Sequence, residues 1–343
     1  MAVTIYDVAK RARVGIGTVS RALNNSPQIL PETKARILKI AEELNYKPHA
    51  LARGLARRKT GSIAVIVPFF LTYFFVEMLK GIQRELTRHD YDLVLYSIDR
   101  PERLNRFLLR TLEEKRVDGV ILCSLPIDDK YAEKFISIGL PIVLVDSSHP
   151  LIDSITIENE LGAYRATCQL IKNGYKKIGM INGRLVSQPA RLRLKGFRQA
   201  LDEFHLDFDE RFVVYGDEND ESDGFAKMAG YRGMLRLLEN GQDYPKALFI
   251  ASDIQAIGAI QALRKKGLSV PEDIAIVSFD DIELAEYFGL TTMHQPIYEM
   301  GQMGVQRLLQ RIDCKDLPAL LNKIDPKLII RESCGMHQKL EIS

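Results

Sequence analysis

The sequence predicts a chain of two parts, an N-terminal all-α head and an α/β body of two doubly wound parallel-sheet subdomains. Three observations carry that expectation. The 343 residues are 46% hydrophobic and 27% charged, enough to bury the cores of two or three domains. The net charge is only +2, yet residues 1–60 hold twelve Lys/Arg against four Asp/Glu, a local +8 that leaves −6 on the other 283 residues. From Gly61 onward, short β-branched runs alternate with helical stretches, the pattern of parallel strands joined by helical crossovers. A basic small unit on a mildly acidic large one suits a polyanion-binding head. A merely solvated basic surface does not explain the segregation.

Several function classes fall away on composition. The start, MAVTIYDVAKRAR, has no apolar stretch of the signal-peptide kind, and runs such as IAVIVPFFL fall far short of the roughly 20 residues a membrane span needs. A soluble, cytoplasmic chain without membrane contact is expected. Cys123, Cys168, Cys314 and Cys334 stand singly with no CxxC spacing, so buried, reduced thiols are expected. The six histidines (His49, His89, His149, His205, His294, His337) are too dispersed for a metal site. No GxSxG, HExxH or P-loop is present, which favours a binding body over an enzyme and calls for no cofactor.

In the head, Val8, Ala9 and Ala12 share one face of a helix over Tyr6–Arg13. A second helix, Gly17–Asn24, directs Val19, Ala22 and Leu23 one way and Thr18, Ser20 and Arg21 the other. Two such helices with a short turn between them form a helix-turn-helix. A third, Pro31–Leu44, covers both with Ile37, Ile40, Ala41 and Leu44, and Pro31 suits a first helical position. None is stable alone at these lengths, so the three must share a core.

RVGIGTVSRALNNS, residues 13–26, sets Gly15 and Gly17 around Ile16 just where the second helix begins. A phosphate loop needs a preceding strand and a GxxxxGK[ST] or GxGxxG spacing, and neither is there. In a helix-turn-helix the first turn of the second helix enters the major groove, where small residues let the backbone approach base edges. Ile16 is then placed to touch a thymine methyl, or else to staple the helix start. Arg21, one turn on, reaches a guanine edge or a phosphate. The candidate DNA-contacting residues of the head are Tyr6, Gly15, Ile16, Gly17, Thr18, Ser20, Arg21 and Asn24.

The body reads as SIAVIVP, YDLVLYS, GVILCSL and PIVLVD for the first set of strands and KKIGMIN, FVVYG, KALFIAS and IAIVSFD for the second, with amphipathic helices between them. Ligands of such sheets sit beyond the carboxyl ends of the strands, here the cleft between halves.

TIYDVAKRARVGIGTVSRALNNS, followed by ETKARILKIAEELNYKPHALARGLARRKTGSIAVIVP, closely resembles the N-terminus of the LacI/GalR family of bacterial transcription regulators, and the likeness resumes along the chain. Arg13 and Gly15 stand where that family usually has Gly and Ser, and His49 where it has Asn. The resemblance implies a periplasmic-binding-protein-like body, a homodimer, a palindromic double-stranded DNA operator and a small-molecule effector of sugar type. It implies three chain crossings, with residues 291–320 returning to the first half. The domains are then 1–48 for the head, 49–60 for a hinge, and 61–338 for the body. The first subdomain takes 61–158 and 291–320, the second 159–290 and 321–338.

Residues 49–58, HALARGLARR, are short and weakened as a helix by Gly54, so they are expected to order on binding. The resemblance implies a hinge helix with Leu55 wedged into the minor groove, where an apolar wedge unstacks a base step and bends the duplex, and Arg53, on another face, is a further candidate DNA contact. A plain basic linker is the other reading. For the effector, TYFFVE suggests Phe74 and Phe75, or plain core packing. RLKGF resembles the family's RLxGF and points to Arg193, whose planar fork gives bidentate bonds. FIASDIQAIGA points to Asp253 as a hydroxyl acceptor, or as a helix cap; PIVLVD adds Asp146. Ser252 replaces the family's Asn, FFLTYFF lacks Asp-Ile-Ser-Asn, and GDENDESDGFAKMAGY is longer than usual. The reading is a repressor of carbohydrate-related genes. A regulator triggered by a protein partner, an exported solute-binding protein and an enzyme on the same fold are the alternatives.

Overall fold

The structure is a computed structural model. It describes residues 3–23, 28–46, 59–68, 72–98, 101–114, 116–218, 221–239, 241, 243–314 and 316–335. Residues 49–58 of the expected hinge at 49–60, with Arg53 and Leu55, and Asn24 of the head lie outside the described residues.

The head is three helices, α1 (Ile5–Ala12), α2 (Ile16–Leu23) and α3 (Pro31–Glu43). Asp7 closes the start of α1 by accepting from the Thr4 amide and hydroxyl, each at 2.8 Å. That amide bond holds the Asp7 carboxyl below its usual range. Arg13 ends α1 in the left-handed conformation, φ 50°, the conformation a glycine adopts most easily and the position where the resembling family usually has one. Val8, Ala9, Ala12, Val19, Ala22, Ile37 and Ala41 form the shared core. Ile40, Leu44 and Leu23, expected inside, are only partly buried against it.

The body starts where Asp118 accepts from the Thr60 and Gly61 amides at 2.6 and 2.8 Å, fixing the first strand. Its first subdomain runs β1 (Ser62–Val67), α4 (Tyr73–Arg88), β2 (Asp92–Ser97), α5 (Pro101–Glu114), β3 (Gly119–Cys123), α6 (Asp129–Ile138), β4 (Ile142–Val145) and β5 (Asp153–Ile157). The second runs α7 (Asn159–Lys172), β6 (Ile178–Asn182), α8 (Gln188–Glu203), β7 (Val213–Tyr215), α9 (Lys227–Leu238), β8 (Ala247–Ile250), α10 (Asp253–Lys265), β9 (Ala275–Asp280), α11 (Glu283–Tyr287) and β10 (Thr291–His294). Then come α12 (Ile297–Asp313), β11 (Leu321–Ile324) and β12 (Lys327–Ile329).

One sheet has the order β11-β5-β4-β3-β1-β2 and the other β12-β10-β9-β8-β6-β7. Among the described strands of the two sheets, every pairing is parallel except β10 with β12. Each sheet is covered on both faces by apolar side chains, such as Val65, Ile121 and Val143 on one side of the first sheet and Ile66, Leu122 and Leu144 on the other. That two-sided burial is why these strands read as unbroken apolar runs.

The sheets correct two of the expected boundaries. Residues 291–294 do not return to the first half: they form β10 inside the second sheet, and the return begins at α12. Residues 321–324 do not belong to the second half but extend the first sheet as β11, so the final crossing falls after Ile324. Steric fit holds α12 to the first subdomain. A Cβ at Gly81 of α4 would strike the Tyr298 carbonyl, and one at Gly301 the Met78 carbonyl, so only glycines let these helices approach. The buried Asp153 adds an anchor: it takes Arg307 Nη2 at 3.0 Å, Arg311 Nε at 2.9 Å and the Leu320 amide at 2.8 Å. Cys123, Cys168 and Cys334 are buried free thiols as expected, whereas Cys314 is exposed because it lies past the last turn of α12. No described helix is long and apolar enough to cross a membrane.

Candidate functional site

Two sites follow from the sequence, one on the head and one in the body cleft. On the head, Tyr6 is 66% exposed and Ile16, now the first residue of α2, 40% exposed. An isoleucine stapling the helix start would be covered, so its exposure favours an external contact. Gly15 and Gly17 are exposed, and neither has a positive φ. A Cβ on Gly15 would meet nothing within 4 Å, and one on Gly17 only the Arg21 guanidinium at 3.8 Å. Neither a positive φ nor close packing calls for these glycines: Gly15 stands at the N-cap of α2, its carbonyl accepting from the Thr18 and Val19 amides, a position glycine tolerates well, whereas Gly17 lies inside α2 and weakens it. Both leave open surface beside Ile16 and Arg21. Arg21 is exposed on the same turn, its Nε donating to the Gly17 carbonyl at 3.2 Å, while Thr18 and Ser20 are half-buried beside it.

In the body a cavity of about 250 Å³ opens between the subdomains, at the carboxyl ends of both sets of strands. The first subdomain supplies Phe74 and Phe75 from the start of α4, where the Thr72 hydroxyl caps the Phe75 amide at 3.4 Å. The two rings meet edge to face with centroids 5.1 Å apart. Phe75 also belongs to the core, so cavity lining and core packing both hold for it. Ser124 and Asp146 follow β3 and β4 directly, and the serine hydroxyl donates to Asp146 Oδ2 at 2.6 Å. Burial raises the Asp146 carboxyl above its usual range, with that bond opposing.

The second subdomain supplies Arg193, 4% exposed on α8. Its Nε donates to Asn159 Oδ1 at 2.8 Å, its Nη1 to the Ala251 carbonyl, and its guanidinium lies 3.8 Å from the centre of the Phe279 ring. Asp280, the last residue of β9, places Oδ1 3.7 Å from Arg193 Nη1. Burial pushes the Asp280 carboxyl up to about 8 even though Arg193 opposes the shift. Burial likewise lowers the Arg193 pKa, with Asp280 opposing. The site is thus one guanidinium among carboxyl groups that resist ionising until something donates to them. Ser124, Asp146 and Asp280 all have positive φ (52°, 57° and 118°), non-glycine strain of the kind that gathers at binding sites.

Asp253 does not line this cavity. Its Oδ1 accepts from Ser278 Oγ at 2.5 Å and Thr292 Oγ1 at 2.7 Å, and its Oδ2 from the Ile282 amide at 2.9 Å. Burial raises it as well, to about 6. It pins β9, β10 and α11 together, and the cap of α10 is Ser252, not Asp253. The sequence reading missed Asp280, Ser124 and the wall formed by Ser222, Asp223 and Phe225. It also missed Gln295, which donates to Asp280 at 2.5 Å from the segment that crosses back to the first subdomain. The usable signal was position: Ser124, Asp146 and Asp280 each stand where a strand ends. Among the described residues no cluster of His, Cys, Asp and Glu could hold a metal ion.

Residues 4–49 match the model of bacterial regulatory proteins of the lacI family, and residues 167–334 that of a periplasmic binding protein-like domain. The chain is 32% identical over 339 residues to the catabolite control protein A of Priestia megaterium, covering 97% of this chain and 99% of that one. The chain belongs to the LacI family. It is a DNA-binding transcription regulator of that family, not an enzyme. Among solved structures, it superposes on the lac repressor dimer bound to operator and the anti-inducer ONPF with a TM-score of 0.83 at 28% identity, covering 97% of this chain and 99% of that one. A transcriptional regulator CelR–cellobiose complex matches at TM-score 0.70 and 30% identity, covering 96% and 99%.

Proposed function

We propose that this LacI-family member is a repressor of carbohydrate-related genes, that it binds a palindromic operator as a homodimer, and that a small sugar-like effector in the cleft controls it. The observation that carries the reading is the cavity itself, lined by a buried guanidinium, carboxyl groups and the phenyl rings of Phe74, Phe75 and Phe225. Carboxylates accept sugar hydroxyls and the guanidinium fork donates in return, while aromatic rings supply apolar surface. The likeness to a regulator solved with cellobiose supports a saccharide, and the likeness to a repressor dimer on its operator supports the DNA geometry.

In mechanism, phosphate contacts position the two heads and the first turn of α2 reads base edges in each half-site. A ligand bridging Ser124 and Asp146 of one subdomain to Arg193 and Asp280 of the other changes the angle between them. That angle sets the spacing of the two hinge segments, and so whether Leu55 can seat in the minor groove. The hydrogen bond from Gln295 to Asp280 ties the charge cluster to a crossing segment, giving the change a path to the first subdomain.

The test is selection of binding sites from random duplexes by the purified protein, repeated with a panel of sugars. A palindromic site whose binding responds to one sugar is the expected result. A palindromic site indifferent to every compound would move the trigger to a protein partner, and no selected site would overturn the reading of the head.

A further inference from the structure

Of the long stretch GDENDESDGFAKMAGY, residues 216–231, the described Ser222, Asp223, Phe225 and Ala226 line one wall of the cavity. Its turn is costly to build: Ser222, Asp223 and Gly224 follow one another in the left-handed conformation (φ 53°, 51° and 84°). The surroundings hold it there. The Asp223 carbonyl accepts from the Arg184 amide at 2.7 Å, and the Gly224 carbonyl from the buried Gln255 Nε2 at 2.8 Å. Phe225 packs on Gly183, where a Cβ would not fit, and its ring centre lies 5.6 Å from the Arg193 guanidinium. A strained turn fixed from three sides, with two polar side chains on the cavity, is an element shaped for what the cavity holds.

The charges around the cavity say what that is. Asp146, Asp223 and Asp280 line it, and each nearby guanidinium already faces one of them: Arg193 lies 3.7 Å from Asp280 and Arg184 3.8 Å from Asp223. Arg193 also spends donors on Asn159 and Ala251. Lys227 lines the cavity as well, exposed at the start of α9. A dianionic phosphate would thus give up its hydration where both guanidiniums are already paired, with Lys227, exposed and facing none of the lining carboxyls within 4.0 Å, as its cation among the described lining residues, whereas sugar hydroxyls can donate to the carboxyls. A volume of about 250 Å³ is below the ~300–1,000 Å³ of sites for drug-sized ligands and suits a single ring.

We propose that Ser222 and Asp223 determine specificity in this cleft by accepting hydroxyl groups of one uncharged sugar ring, and that the cleft turns away the phosphorylated form of the same sugar. The inference rests on the cleft being the effector site.

The experiment is calorimetric titration of the full chain with D-ribose, D-glucose and D-galactose, their phosphate esters and cellobiose, alongside operator binding with each. One free monosaccharide is expected to bind and alter operator affinity, with its phosphate ester at least about a hundred-fold weaker. Asp223→Asn is expected to weaken that sugar by about ten- to a hundred-fold, the loss of one charge-assisted hydrogen bond. Asparagine tolerates positive φ, so the ligand-free melting temperature should hold. Ser222→Ala should weaken binding by several-fold. A phosphate ester binding as tightly as its parent, or Asp223→Asn leaving the affinity unchanged while the sugar still acts on the operator, overturns the proposal and leaves the effector reading standing. No sugar binding at all, with operator binding intact, overturns both.

Discussion

Asp280→Asn separates the chemistry of the cleft from its shape. The amide keeps the size of the carboxyl but cannot ionise. In the unfolded chain Asp280 loses its proton near 3.8, and in the folded protein near 8. Between those values the native state holds a proton that the unfolded state has released, so stability falls as pH rises, by up to about 1.4 kcal/mol per pH unit for one proton. From pH 5 to pH 7 that amounts to about 3 kcal/mol, a large part of a typical ~5–15 kcal/mol. Asp253, Asp146 and Asp223, all raised by burial, act in the same direction. The lowered carboxyls Asp7, Asp209, Asp217, Asp243, Asp273 and Asp281 lie below 3.8 and Glu85 below 4.5, so they stay ionised across that window. Urea unfolding of both proteins at pH 5, 6 and 7 reads the effect. The variant should gain on the wild type by roughly 1–1.5 kcal/mol per unit as pH rises. Parallel stability curves would refute the argument that Asp280 is held protonated. The same logic makes effector binding tighter at higher pH and accompanied by proton release, because hydroxyl donors favour the carboxylate; Asp280→Asn should abolish that dependence.

Other outcomes are equally definite. Gly17→Ala should stabilise the head by about 0.5–1 kcal/mol, since a Cβ there meets nothing closer than 3.8 Å, yet lower operator affinity in an anisotropy titration. Unchanged affinity would remove α2 from the major groove. Asp153→Asn strips the partner from two mostly buried arginines and should cost about 3–5 kcal/mol in chemical denaturation. A loss under 1 kcal/mol would mean that α12 does not depend on the Asp153 anchor and is held by its glycine-mediated packing and the Glu85 hydrogen bonds. Leu55→Ala should weaken operator binding without touching effector affinity, and equal operator affinity would sink the minor-groove wedge.

The sequence showed what periodicity and local chemistry encode. Buried strands such as SIAVIV and GVILC announced themselves because both faces of each sheet are covered. DSITI, TTMH and LNKI did not, being short and rich in polar residues whose partners lie far along the chain. The same limit moved the crossings: Thr291 bonds the carbonyl of Arg331, a tie no local pattern announces. Arg193 was legible because its neighbours form a motif. Asp253 was legible as a special residue but not in its direction, which depends on Ser278 and Thr292 turning toward it. Asp280 stood unnoticed beside Asp281, since nothing in FDD says which carboxyl faces the cleft.

The central claim is that the cleft governs the head. The direct test is operator affinity of the wild type and of Arg193→Ala, each with and without the bound sugar. The account predicts equal operator affinity for the two proteins without sugar, and a sugar-dependent change in the wild type alone. A full response in Arg193→Ala, or a wild type that binds the sugar and ignores it on DNA, would contradict the account.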